Sequence, residues 1–69
     1  MTKVSHQSSN VDWTDYDPDT QRLTVRFHSG KSYTYSGVRP AAYENLINAD
    51  SVGRHLNVHI IPHHPAKAH

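Results

Sequence analysis

Arg22-Leu23-Thr24-Val25-Arg26-Phe27-His28-Ser29-Gly30-Lys31-Ser32-Tyr33-Thr34-Tyr35 reads as two strands and the bend between them. Leu23, Val25 and Phe27 alternate with Arg22, Thr24, Arg26 and His28, the period-2 pattern of a half-buried strand. His28-Ser29-Gly30 suits a three-residue loop, a type I turn closed by glycine in the left-handed conformation. That length pairs Phe27 with Lys31, Val25 with Tyr33 and Leu23 with Tyr35, so both tyrosines join the apolar side. A two-residue Ser29-Gly30 loop would turn them outward, but Ser-Gly is a poor type I′ pair.

Working backward, Asp17-Pro18-Asp19-Thr20 is a turn signal: proline presets the second turn position and aspartate caps the first. A four-residue loop of Pro18 to Gln21 then pairs Tyr16 with Leu23, Thr14 with Val25 and Trp13 with Arg26. This register puts the indole on the polar side of the sheet. Working forward, Pro40 suits the first turn of a helix that carries Tyr43, Leu46 and Ile47 at helical spacing. Asp50 or Ser51 caps a second helix with Leu56 and Ile60 inward, and Pro62 stops it. The expected fold is α+β: a three-stranded antiparallel β-meander followed by two short helices packed on one face. Residues 10–61 form the domain, with flexible tails over 1–9 and 62–69.

Length and composition narrow the function. A chain of 69 residues without cysteine has one small core and neither a disulfide nor a thiolate site to support it. Self-association and histidine–metal binding remain as sources of extra stability. The formal charge of +1 does not by itself announce a nucleic-acid binder. Met1 to Gln7 has no apolar signal region and no run approaches a membrane span, so the expected compartment is the cytoplasm, with no membrane partner.

Tyr16-Asp17-Pro18, Leu23-x-Val25-x-Phe27, Gly30, Tyr33-x-Tyr35, Val38, Tyr43-x-x-Leu46, Ala49-x-Ser51-x-Gly53 and Asn57-x-x-Ile60 occur in an order and spacing that resemble the KTSC domain. The resemblance runs without a gap from Ser9 to about Pro65. That module is found at the carboxyl end of some lysyl-tRNA synthetases and as a free-standing bacterial protein, and its attachment to a synthetase implies RNA binding. The chain departs from the family pattern at Asp15, Arg39, Leu56, Ile61 and His64. An arginine is usual at the position of Ile61, so any phosphate contact inherited there is weakened.

Several residues carry candidate chemistry. Trp13 beside Arg26 offers base stacking with phosphate attraction; the same face equally suits a homodimer or a cross-strand pair with no ligand. Tyr33 and Tyr35 have the chemistry of a stacking platform, although the register favours core packing for them. Ser51, Gly53 and Arg54 open the second helix as an anion cradle, with Asn57 one turn on to meet a base or ribose. A capped helix with close packing at Gly53 explains the same residues without a ligand.

His55 and His59 stand four apart on one helix. This spacing can hold zinc, but the pattern lacks an HExxH glutamate, and a solvated histidine face is the plainer reading. Asp12, Asp15, Asp17 and Asp19 are explained by turn chemistry. No nucleophile elbow, P-loop or dinucleotide fingerprint appears. The sequence therefore points to a small binding module that is no enzyme and needs no cofactor, with RNA or a nucleotide as ligand and a homo-oligomeric state. Two alternatives stand beside it: a phage or bacterial homo-oligomer that sequesters a nucleotide signal, and a protein–protein adaptor that uses the Trp13 face.

Overall fold

The bend at Gly30 has the geometry its residues require. Gly30 sits at φ 91°, Phe27 donates its N–H to the Lys31 carbonyl, and the Gly30 N–H returns to the Phe27 carbonyl, both at 2.9 Å. The computed structural model describes residues 2–6 and 10–68. Within it, β1 (Thr2–Ser5), β2 (Val11–Asp17), β3 (Arg22–Phe27), β4 (Ser32–Tyr35) and β5 (Ala66–Ala68) form one antiparallel sheet in chain order. Between β4 and β5 lie α1 (Pro40–Ile47) and α2 (Val52–His55), the latter running on into a π-helical turn, Leu56–Ile60.

The central register agrees with the loop-length argument. Leu23 faces Tyr35 and Val25 faces Tyr33, while Tyr16 faces Leu23, Thr14 faces Val25 and Trp13 faces Arg26. The fold is α+β as expected, but the sheet has five strands rather than three. Residues on both sides of the expected domain add an edge strand each: Val4 pairs with Thr14, and Ala66 pairs with Tyr35. The segments expected as tails thus contribute Thr2–Ser5 and Ala66–Ala68 to the sheet, while residues 7–9 lie outside the described residues.

A β-bulge at Asp12 reconciles two demands on β2. Val11 and Trp13 are two apart and would share a face in a regular strand. The register shifts by one residue between them, so Val11 is buried against the helices while Trp13 turns to the other side, as a bulge permits.

The core lies between the sheet and the helices. Tyr16, Leu23, Val25 and Tyr35 come from the sheet, and Val38, Tyr43, Leu46, Leu56 and Ile60 close over them. Thr14 is fully buried among these apolar groups, and its hydroxyl pairs with His6 Nε2 at 2.9 Å. A buried hydroxyl without such a partner would be costly. Ser51 caps α2 by accepting from the Arg54 N–H at 3.3 Å.

Candidate functional site

The helices cover one sheet face and leave the other open. The register lines up that open face in rows. Lys3, Asp15, Thr24, Thr34 and Lys67 form one row from edge to edge. Ser5, Trp13, Arg26 and Ser32 form the next, and Asp17 faces Arg22 beyond. Four cations, Lys3, Arg22, Arg26 and Lys67, therefore face outward against two carboxylates, Asp15 and Asp17. The positive charge of the chain is concentrated here.

Among the described residues Trp13 is the one large aromatic side chain of this face, and it is half-buried. The Lys3 ammonium lies over its ring, 4.4 Å from the centroid. One indole face is thus held by a cation, with the Arg26 guanidinium on the neighbouring strand. The Thr24 and Thr34 hydroxyls meet at 3.0 Å, a cross-strand pair that stiffens the middle of the surface.

The expected anion cradle is divided in the structure. Ser51 is committed to capping and Gly53 is buried. Arg54 shares a shallow groove of about 270 Å³ with His55, Val58 and His59, whereas Asn57 turns toward the end of the β3–β4 hairpin. The His55 and His59 rings lie 4.5 Å apart; burial pushes the His55 pKa down, and the neighbouring His59 adds to the effect. Among the described residues, no group of three or more histidine, aspartate or glutamate side chains is placed to hold a metal ion.

The two central tyrosines separate. Tyr35 is 3% exposed and belongs to the core, out of reach of a ligand. Tyr33 is half-buried and meets Phe27 edge to face, with centroids 5.9 Å apart. Tyr33, Phe27, Lys31, Asn57, Asn10 and His28 surround a groove of about 390 Å³. The sequence singles out Tyr33 and Asn57 as site residues, while Phe27 and Lys31 enter it only as a cross-strand pair. The Phe27–Lys31 pairing across the bend was the available signal. Lys3 and Lys67 carry no such signal, because both stand on edge strands whose sequences read as tails.

The chain matches the KTSC domain family over residues 7–64. The chain belongs to the KTSC domain family. This KTSC domain is 44% identical over 64 residues to an uncharacterised protein of Stutzerimonas stutzeri, a match covering 93% of this chain and 90% of that one. It is 48% identical over 42 residues to a lysine–tRNA ligase of Nostoc punctiforme, spanning 61% of this chain and 8% of the ligase. A crystal structure of a KTSC domain protein from Yersinia pestis is similar at a TM-score of 0.90 and 29% identity, over 96% of this chain and 93% of that one. Among the described residues, no helix is long and apolar enough to cross a membrane.

Proposed function

We propose that this KTSC domain is a non-catalytic binding module for single-stranded RNA, held on the open sheet face. The observation that carries the reading is the placement of Trp13 and four cations on the one sheet face that no helix covers. An indole supplies a sequence-tolerant stacking surface, at about 1–3 kcal/mol per stacked base. Arg26, Arg22, Lys3 and Lys67 supply the phosphate attraction. The stretch shared with a lysine–tRNA ligase adds support, because that enzyme's name identifies an RNA substrate.

The test is a titration of a fluorescently labelled single-stranded RNA with the parent chain, Trp13→Ala and Arg26→Ala, at 50 and 200 mM salt. With three or four phosphates neutralised, affinity falls about 20- to 50-fold across that range. Both variants bind more weakly, and Arg26→Ala also shows a shallower salt slope. RNA binding that neither substitution weakens removes the reading. The self-association expected from the small size is checked by solution mass in the same samples.

A further inference from the structure

The groove at the end of the β3–β4 hairpin has a chemistry different from that of the open sheet face. Two aromatic residues line it: Phe27 and Tyr33 meet edge to face, and both are only partly buried. Asn57 and Lys31 line it as well. Asn57 is exposed on the π-helical turn Leu56–Ile60, whose Leu56 and Ile60 are buried in the core. The irregular turn is therefore anchored at both ends, and Asn57 between them lines the groove. Single π-helical turns recur at functional sites.

The donor and acceptor types decide what fits. An asparagine amide offers an acceptor and two donors in one plane, the match for the edge of a nucleobase. Aromatic side chains supply a surface for the base itself, and a lysine ammonium supplies a point charge for a phosphate. Among the described residues no carboxylate lines the groove, which disfavours a cationic ligand. A volume of about 390 Å³ lies within the span of small-molecule sites, about 300–1,000 Å³.

We infer that this groove binds a nucleoside 5′-monophosphate, free or as the end of an RNA strand, with the base against Tyr33 and Phe27, its edge on Asn57 and its phosphate on Lys31. The site does not depend on the open sheet face, which lies on the other side of the sheet from the Tyr33 ring.

Titration of isotope-labelled chain with AMP, GMP, CMP, UMP, adenosine and inorganic phosphate, followed by amide and side-chain resonances, tests it. At least one monophosphate gives saturable shifts at Tyr33, Lys31 and the Asn57 side-chain amide. Asn57→Ala weakens that binding about tenfold, the loss expected for a hydrogen bond to a base edge. Lys31→Ala lowers affinity for the monophosphate to that for the nucleoside and leaves nucleoside binding unchanged. Both residues are exposed, so the variants keep the fold, which the thermal midpoint verifies. Tyr33→Phe retains the ring and retains binding.

The proposal is overturned if neither these probes nor a 5′-phosphorylated RNA moves these resonances, if inorganic phosphate alone reproduces the shifts, or if Asn57→Ala binds as the parent does. A 5′-phosphorylated RNA that shifts the groove resonances where the free monophosphate does not assigns the site to strand ends. Shifts with AMP in a chain that fails to bind RNA on the sheet face would remove the outer-face reading and leave this one standing.

Discussion

The Tyr43 ring lies flat on that of Tyr16, with centroids 4.4 Å apart and planes within 8° of parallel. The Tyr16 hydroxyl then donates to the Val38 carbonyl at 2.6 Å. One side chain thus ties β2 to α1 by stacking and to the entry of α1 by a hydrogen bond. Burial pushes the pKa of the Tyr16 phenol up, with the Asp17 carboxylate adding to the effect; the phenol stays protonated as a donor.

Tyr16→Phe keeps the stack but leaves the Val38 carbonyl unpaired, at about 1–3 kcal/mol. Tyr43→Ala removes a buried ring, at about 3–5 kcal/mol. At about 0.05–0.15 kcal/mol per residue, a chain of this size holds roughly 3–10 kcal/mol in all. Tyr16→Phe therefore lowers the thermal midpoint by about 4–8 °C per kcal/mol, whereas Tyr43→Ala removes roughly a third or more of the total stability and lowers the midpoint further. Urea denaturation followed by circular dichroism distinguishes the two outcomes.

The hairpin register is expected to survive strain at its bend. A Cβ at Gly30 would meet no atom within 4 Å, so the cost of Gly30→Ala is that of the positive φ alone, about 1–2 kcal/mol. Gly30→Asn costs less, because asparagine tolerates the left-handed region. Both variants keep the Val25–Tyr33 pairing, which cross-strand nuclear Overhauser effects report. Loss of that pairing in either variant would show that the glycine sets the register itself and does more than permit the bend.

The parts of the fold that local sequence could announce were legible. Gly30 and the loop from Pro18 to Gln21 define bends of countable length, and counting gives the parity of the side chains of β2 from Trp13 onward and of β3 and β4. The two edge strands were not legible. β1 directs one apolar residue, Val4, inward, and β5 is the exposed tripeptide Ala66–Ala68, so neither carries a period-2 pattern long enough to read. Their pairing is decided by the strands already in place. The bulge at Asp12 is equally silent, since the strand pattern alone does not say that Val11 and Trp13 must part. The Asn57 groove joins a helix to a bend distant in sequence, and only the folded chain brings Tyr33 and Asn57 together.

Acidification weakens the fold through two histidines. Burial lowers the pKa of His6, which pairs with the buried Thr14 hydroxyl, and burial with the nearby His59 lowers that of His55. The unfolded chain takes up these protons near pH 6.5, before the folded chain does. Stability is therefore full above that pH and falls as the pH drops from about 6.5 toward the lower folded values. Thermal midpoints at pH 7.5 and 5.5 show the decline, and a His6→Gln, His55→Gln double variant shows a smaller one. An equal decline in the double variant would assign the effect to other groups.

Trp13 is the one tryptophan of the chain, so its emission reports on the open face without a label. With the Lys3 ammonium over the ring, collisional quenching by acrylamide is partly blocked in the parent. Lys3→Ala uncovers the indole and raises the quenching constant, at a stability cost of about 0.5–1 kcal/mol. Single-stranded RNA that stacks on the indole reduces emission and protects it from acrylamide in both chains. Loss of the Lys3 charge makes the logarithmic salt slope shallower by about 0.7, the increment for one phosphate contact on a single strand. The two effects separate the roles of the residues: stacking belongs to Trp13 and survives the substitution, while the electrostatic part belongs in part to Lys3 and does not. RNA that binds without altering Trp13 emission in either chain must sit elsewhere, and the open face would then lose its assignment.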